Sequence, residues 1–275
     1  MSVYVRTNVA SLEAQRHLSN TQMEQSKTFQ RLSSGYRING AADDAAGLGI
    51  TESMNAQIRS YAVAERNAND GISMAETADG AAGQMSGILT RLRELAVQSA
   101  NGSLQAADRT NLNTEFVALR GEIDRISTVT KFNGQSLLSG AAANVNFQVG
   151  IGTSASDTVA ISFGGVTTTT LGINTSTVDS AVNATGSITA LDAAIGTLST
   201  TREGFGSAIN RLTSTVSNLQ SMRTNLSAAH SRIKDVDVAD ETAALARSQV
   251  LSQAGVAVLS QANQAPQLAM SLLRG

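Results

Sequence analysis

Residues 29–48 read FQRLSSGYRINGAADDAAGL and interrupt two helical segments with a turn-rich passage that has no apolar periodicity of its own. In this passage, called the joint below, Gly35 and Gly40 favour backbone conformations that a helix interior disfavours. Asp43 and Asp44 stand where acidic side chains stabilise the start of a helix. The sequence therefore predicts a joint between a short helix and a long one.

The composition favours long helices over an ordinary globular core. Only 3% of the 275 residues are aromatic, one is proline, and tryptophan and cysteine are absent. The formal net charge of -2 gives no basic footprint, so nucleic acid is not an expected partner. No run approaches the roughly 20 apolar residues of a membrane span, and the N-terminus lacks the apolar core of a secretory signal. We therefore expect no membrane insertion and no cleaved signal peptide.

The segment before the joint is a weakly amphipathic helix. Val5, Val9 and Leu12 begin its apolar face at helical spacing, and the face stays thin as far as the joint. Basic residues outnumber acidic ones here, so the segment is poorly able to bury itself alone. We expect it to be disordered in an isolated monomer.

Beyond the joint, a heptad pattern runs from Met54 to Ala96 and predicts a helix over residues 43–99. At 1.5 Å per residue such a helix would be roughly 85 Å long. A second, shorter amphipathic helix begins with Leu112 and Phe116. The two segments predict a helical hairpin.

From residue 131 to about 186 the sequence turns to Gly, Thr, Ser and Asn with alternating apolar residues. The runs 145–151 and 159–163 predict a β-hairpin, with VGIGTS at its connection. That stretch lacks the lysine of a phosphate-binding loop. GGVTTTTLG, residues 164–172, is predicted to form exposed turns.

The most regular heptad extends from Leu191 to Ile233 and is followed by a short polar passage and a final helix. The fold class predicted from the residues is mostly α: a long antiparallel coiled-coil helical bundle with a small β-hairpin insertion. On the final helix Leu251, Val258 and Leu272 share one stripe with small residues, which would let a neighbouring helix approach closely.

Candidate chemical sites are weak. Asp43 and Asp44 have no histidine or third carboxylate in range, so helix-start acids or arginine partners are favoured over metal ligands. The two histidines, His17 and His230, lie on predicted helix faces, and no nucleophile set can be assembled around them. No cofactor, metal or enzymatic activity is predicted.

Several motifs resemble bacterial flagellin. They are LSSGYRINGAADDAAGL, RLRELAVQSANGS, EIDRIS followed by TKFNGQSLLSG, SRIKDVDVADETA, and QVLSQAGVAVLSQANQAPQLAMSLLRG. The resemblance covers roughly the first 140 and last 90 residues, in order. The short middle implies a form that lacks large outer domains.

The resemblance implies a chain folded back on itself, with its N- and C-terminal helices paired. The expected parts are an inner domain (1–33 plus 237–275), linkers (34–46 and 231–241) and an outer coiled-coil domain (44–236). We expect the terminal helices to pack through Val5, Val9, Leu12, Leu251, Val258 and Leu272. The expected linker and subunit contacts are Arg31, Gly35, Arg37, Gly40, Asp43 and Asp44.

The implied function is a structural subunit that polymerises with itself into the hollow extracellular filament of the bacterial flagellum. Implied partners are the flagellar type III export apparatus and a chaperone, the cap and the hook-associated proteins. Flagellins sensed by a Toll-like receptor carry a surface that here matches Arg91, Leu95 and Glu115. The alternatives are a hook-filament junction protein, or a coiled-coil adaptor that would leave the joint unexplained.

Overall fold

A computed structural model describes residues 7–140 and 144–274, with side chains through residue 264. Within these ranges the chain is mostly α-helical, as predicted, with five α-helices and two antiparallel strand pairs. The helices are α1 (Val9–Ser34), α2 (Ala45–Ser99), α3 (Ala106–Val129), α4 (Ala181–Lys234) and α5 (Val238–Arg274). The strands are β1 (Lys131–Phe132), β2 (Gln135–Ser136), β3 (Asn144–Gln148) and β4 (Thr158–Ser162). In the described ranges, no helix combines the length and apolarity that crossing a bilayer requires.

Local contacts set the ends of α2. Near its start, Asp44 Oδ1 accepts a hydrogen bond from Gly47 N at 2.8 Å, which satisfies an amide of the first turn. At its end, Arg109 Nε donates to the Ser99 carbonyl at 3.0 Å. The observed Ala45–Ser99 helix matches the predicted span of residues 43–99 closely.

Helix α3 begins earlier than its apolar pattern predicts. The first expected apolar residue is Leu112, but the helix starts at Ala106. Asp108 Oδ2 accepts a hydrogen bond from Gln105 N at 3.1 Å. This side-chain contact fixes the first turn, so capping rather than burial decides where the helix begins.

The predicted β-hairpin is present as β3 and β4. Val145 lies opposite Ile161 and Phe147 lies opposite Val159 in an antiparallel register. Gly150 N and Val149 N both donate to the Asp157 carbonyl, at 2.9 and 2.8 Å. VGIGTS is thus part of the hairpin connection, as predicted.

A second, smaller hairpin was not predicted. Asn133 and Gly134 connect β1 to β2 with φ angles of 48° and 82°. Two successive positive φ values are typical of the type I′ turns that Asn-Gly favours. The Asn-Gly dipeptide was the available signal, but the flanking strands have only two residues each, too few to show alternation.

Ion pairs along α2 and α4 establish that these helices run antiparallel. The pairs are Glu65 with Arg223 at 2.6 Å, Asp79 with Arg202 at 2.8 Å, and Arg93 with Asp192 at 2.6 Å. Residues that advance along α2 meet partners that retreat along α4. In α2 the three positions recur every two heptads, so the ion pairs lie along one edge of the α2–α4 contact.

A single apolar core joins α2, α3, α4 and the hairpin region. Its large buried side chains include Met85, Leu89, Leu92, Leu95, Phe116, Ile123, Phe163, Leu191 and Phe205. The rings of Phe163 and Phe205 lie 5.7 Å apart. The predicted heptad positions of α2 and α4 supply much of this core.

The segment GGVTTTTLG is not a set of exposed turns as predicted. Val166, Thr168 and Leu171 are 1%, 4% and 5% exposed. Asp124 of α3 accepts hydrogen bonds from the Thr168 amide and hydroxyl at 2.8 and 2.7 Å. The carboxylate satisfies the polar groups of the turn, so the turn can be buried without an unpaired donor.

Internal contacts divide the chain into two units. The terminal unit comprises residues 1–56 and 225–275, and the central unit comprises residues 57–224. The boundaries fall inside α2 and α4. The predicted division at the linkers 34–46 and 231–241 stays a prediction.

Candidate functional site

The joint is a two-stranded crossing within the terminal unit. Gly35 ends α1 with a left-handed φ of 73°, and its amide donates to the Arg31 carbonyl at 2.9 Å. Val236 N donates to the Gly35 carbonyl at 3.0 Å, and Arg37 N donates to the Lys234 carbonyl at 2.7 Å. The two passages predicted as linkers therefore lie side by side and hold each other through backbone hydrogen bonds.

Asp43 organises the turn of the joint. Its Oδ2 accepts hydrogen bonds from Asn39 N at 3.2 Å and Gly40 N at 3.3 Å. Its Oδ1 lies 2.9 Å from Lys27 Nζ of α1. The Lys27 hydrogen bond and then the Asn39 amide hold the pKa of this carboxyl below its usual value. Asp43 therefore connects the turn to α1.

The other predicted joint residues have separate roles. Arg37 Nη2 donates to the Ile233 carbonyl at 2.7 Å, which adds a side-chain contact between the passages. Asp44 caps α2 as described above. Gly40 has no positive φ and a Cβ there would meet open space, so the expectation that it needs a glycine conformation is wrong. Gly35 alone in the joint has that requirement.

Helices α1 and α5 pack against each other, as expected, through a seam of small and polar residues. Thr28 and Ser248 are its most buried side chains, at 9% and 6% exposure. A Cβ on Gly255 would come within 3.3 Å of Leu18 Cδ1, so glycine allows close approach there. Asn8 Nδ2 donates to the Ala262 carbonyl at 2.7 Å. The seam is narrow and partly hydrogen-bonded.

The predicted packing residues are not in this seam. Val9, Leu12, Leu251 and Val258 are 58%, 59%, 51% and 58% exposed. Their expected role between α1 and α5 is wrong because the small positions, such as Ser248 and Gly255, permit closer helix packing and therefore face inward. Val5 and the side chain of Leu272 lie outside the described residues.

The exposed apolar residues instead form what we call the outward face of α1 and α5. Its members are large apolar side chains that are more than half exposed: Val9, Leu12, Met23, Phe29, Val238, Val250, Leu251, Val256 and Val258. Nine large apolar side chains exposed along two paired helices are candidates for an interaction surface. The stripe of small residues at Ser248, Ser252, Gly255 and Ala262 was the available signal for the opposite, seam-facing side.

A charged surface surrounds Arg91 in the central unit. Arg91 Nη2 lies 2.9 Å from Glu115 Oε1, and Arg91 Nη1 lies 3.0 Å from Glu94 Oε2. Hydrogen bonds to Glu115 and then Glu94 raise the pKa of Arg91. Leu95 is fully buried in the core, so its predicted place on this surface is wrong. Its stretch of α2 turns Leu92, Leu95 and Ala96 inward and leaves Arg91 outside.

Taken together, these features define a self-assembling coiled-coil subunit: a packed helical bundle, and paired terminal helices with apolar side chains exposed. Two family models match the chain. The bacterial flagellin N-terminal helical region matches residues 5–143, and the C-terminal helical region matches residues 188–273.

Whole-chain relatives agree with these matches. A flagellin of Halalkalibacterium halodurans is 40% identical over 270 residues, covering 98% of this chain and 99% of that protein. A flagellin of Bacillus subtilis is 38% identical over 304 residues, covering 98% and 99%. The crystal structure of Bacillus cereus flagellin aligns with a TM-score of 0.51 and 35% identity, covering 60% of this chain and 94% of that one.

The chain belongs to the bacterial flagellin family. It is a structural protein that polymerises into the extracellular flagellar filament. Residues 144–187, between the two matched regions, include the hairpin of β3 and β4. This short middle makes the chain a short form of flagellin.

Proposed function

We propose that this flagellin polymerises by burying the outward face of α1 and α5 against neighbouring copies. The observation that carries the proposal is the exposure of Phe29, Val250 and Leu251, at 66%, 64% and 51%, on helices that already pack against each other. Covering apolar surface contributes about 25 cal/mol per Å². Burial of this face would therefore favour the filament over the free subunit.

The balance between apolar burial and backbone entropy also supports the proposal that the terminal helices become ordered on assembly. Fixing a residue's backbone costs about 1–2 kcal/mol, and the narrow seam around Thr28 and Ser248 buries little apolar area against that cost. The terminal helices are therefore proposed to be disordered in the free monomer and to order in the filament. Such ends suit export in an unfolded state through the flagellar type III apparatus, with a chaperone holding them beforehand.

The joint is proposed to act as the connection between an inner domain (1–33 plus 237–275) and an outer domain (44–236). Arg31, Arg37, Asp43 and Asp44 would hold its shape or contact neighbouring subunits. The backbone pairing of Arg37 with Lys234 supports a connection that bends as one piece rather than as two loose strands.

Addition of subunits is proposed to occur beneath a cap, on a base of hook-associated proteins. The exposed pair of Arg91 and Glu115 is proposed to be the part of the chain that a flagellin-sensing Toll-like receptor contacts. Arg91→Ala and Glu115→Ala monomers should then signal less, while keeping the helicity of the unsubstituted protein. Unchanged signalling by both would remove this surface from the proposal.

Substitutions on the outward face test polymerisation. Leu251→Asp and Val258→Asp place charge on residues that are 51% and 58% exposed, so the monomer should tolerate them. Both should prevent filament growth from seeds, measured by sedimentation and negative-stain microscopy. Val182→Asp is the control, because Val182 is 81% exposed and belongs to the central unit.

The control variant should assemble normally. Normal filaments from Leu251→Asp and Val258→Asp would contradict the proposal that this face is buried between copies. Circular dichroism of each monomer separates loss of assembly from loss of helix.

A further inference from the structure

A small pocket opens between α1 and α5 in the terminal unit. Its volume is about 260 Å³, enough for a side chain but not for a folded segment. Its lining is Glu24, Lys27, Thr28 and Arg31 from α1, and Glu241, Ala244, Arg247, Ser248 and Leu251 from α5. Three of these residues are basic and two are acidic, and Asp43 pairs with Lys27 from outside the lining, which leaves two guanidinium groups and two carboxylates.

The cations in the pocket are unequally satisfied. Lys27 is paired with Asp43 at 2.9 Å. Arg31 Nη1 is 3.9 Å from Glu241 Oε1, beyond hydrogen-bond reach, and Arg31 Nε is fully buried with no acceptor in the described part of the chain. Within residues 7–140 and 144–264, Arg247 forms no ion pair. Two guanidinium groups thus have free donors in one pocket.

A carboxylate entering the pocket would satisfy these donors. A guanidinium presents five N–H donors in a rigid fork, which matches the two oxygens of a carboxylate. A buried donor without an acceptor is unfavourable, and Arg31 Nε is such a donor where the terminal helices are ordered. Arg31 Nε therefore lacks an acceptor despite Glu24 and Glu241 in the lining, and an acidic group from outside would supply one.

We propose that this pocket receives an acidic side chain from a second copy of the chain, bound by Arg31 and Arg247. This inference rests on the proposed polymerisation, because the pocket is bordered by Leu251 of the outward face. A neighbour that covers this face would also exclude water from the pocket. The terminal helices expose carboxylates that a second copy could supply, among them Asp237 and Asp240.

Arg247→Met tests the inference directly, because it removes the donors and keeps a long apolar side chain. The expected result is a rise of about tenfold or more in the critical concentration for assembly, as a lost charged contact implies. Arg31→Met should act in the same direction. Arg16→Met is the matched control: Arg16 is on α1, is 70% exposed and lies outside the pocket.

Crosslinking identifies the source of the carboxylate. Filaments of Arg247→Lys subunits, grown from a mixture of ¹⁵N-labelled and unlabelled chains, are treated with a carbodiimide that joins amines to carboxyls. A crosslink from position 247 that carries one labelled and one unlabelled peptide requires two copies. The Lys27–Asp43 pair should give a crosslink within one copy and serves as an internal control.

The outcomes separate the two proposals. If the unsubstituted protein and Arg16→Met form no filaments, polymerisation itself fails. If they do, and Arg247→Met assembles equally well, the pocket inference is wrong.

The pocket inference is also overturned if position 247 crosslinks only to Glu24 or Glu241 of its own copy. Binding of inorganic phosphate by the monomer that is lost in Arg247→Met, with no crosslink between copies, would assign the pocket to a free anion instead.

Discussion

The central core and the α1–α5 seam are both built from long helices, but large apolar side chains are buried in the first and exposed beside the second. In the central unit Leu92, Phe116 and Phe205 are fully buried. In the terminal unit Phe29 is 66% exposed while Thr28 beside it is 9% exposed. The central unit completes its core within one chain, whereas α1 and α5 leave large apolar residues such as Phe29 and Met23 exposed.

The difference follows from side-chain size at the contact. Large residues on α2, α3 and α4 meet in three dimensions with the hairpin region, so most of their surface is covered. Two helices alone can cover only one stripe of each, and α1 and α5 use small residues for that stripe. The remaining faces stay exposed, and we propose that other copies cover them. A stable bundle and an assembly surface can therefore coexist in one chain.

Truncating one phenylalanine in each region should test the difference between the two regions most clearly. Phe205→Ala removes a fully buried ring 5.7 Å from that of Phe163, and should lower the free energy of unfolding by about 3–5 kcal/mol. Phe29→Ala should change it by less than about 0.5 kcal/mol and should raise the critical concentration for assembly. Urea unfolding of monomers and sedimentation of filaments measure the two effects. Equal destabilisation by both variants would contradict the contrast.

Glycine substitutions probe the packing tolerance of the two regions. A Cβ on Gly71 would lie 2.9 Å from Leu212 Cδ1 and 3.1 Å from Phe147 Cγ. Gly71→Ala should therefore destabilise the central unit by about 1–3 kcal/mol, although alanine favours helix. Gly87→Ala in the same helix meets open space and should stabilise by about 0.5–1 kcal/mol.

The α1–α5 seam should tolerate a glycine-to-alanine substitution better than the central core does. Gly255→Ala brings a Cβ to 3.3 Å from the end of Leu18, a side chain that is only partly buried and can move. Its effect on the thermal unfolding of filaments, in which α1 and α5 are proposed to be ordered, should lie between those of Gly71→Ala and Gly87→Ala. A loss as large as that of Gly71→Ala would mean that the seam is packed as tightly as the core.

The end of α1 is sensitive to backbone conformation rather than to packing. Gly35 has a φ of 73° and no atoms within 4 Å of its Cβ position, so Gly35→Ala should cost about 1–2 kcal/mol through strain alone. Gly40→Ala, without a positive φ and with the same open space, should be nearly neutral. Hydrogen exchange of the α1 amides in assembled filaments should rise in the first variant only. Equal exchange in both would remove the conformational explanation.

The smallest expected effect is the pH dependence of the surface ion pairs. The hydrogen bond from Arg93 holds the pKa of Asp192 below its ordinary value. Because the folded pKa is the lower one, the stabilisation is present above the unfolded value of about 4 and is lost as the pH falls through the folded value. Both side chains are near half exposed, at 44% and 52%, so salt should weaken the effect.

Asp192→Asn measures that contribution. The urea midpoints of the variant and the unsubstituted protein should differ at pH 7 in low salt and converge at pH 3. A difference that persists in acid would assign it to something other than the charge on Asp192.

Much of the fold was predictable because its signals are local. The heptad through Leu191, Phe205 and Leu212 predicts α4, and the alternation in 145–151 and 159–163 predicts β3 and β4. The start of α3 and the β1–β2 hairpin were missed because a capping contact at Asp108 and an Asn-Gly turn determine them. These are short-range signals of one or two residues, which apolar periodicity does not contain.

The candidate site was only partly predictable. The joint at Gly35, Arg37 and Asp43 was located from turn residues and charge. Whether the side chains of Leu95 and Leu251 are buried or exposed was not predicted, since both occupy apolar stripes that look alike in sequence. One is fully buried and the other is 51% exposed.

The sequence by itself determined where helices begin, break and turn, because capping, glycine conformation and apolar period act within a few residues. Only the tertiary structure decided which helix faces meet, because several stripes on α1, α2 and α5 compete for the same neighbours. In the terminal unit, the stripe with Ser248 and Gly255 faces α1 because its small residues allow the helices to approach closely. The consequence is an outward apolar face and a pocket in which Arg31 Nε has no acceptor in the described part of the chain.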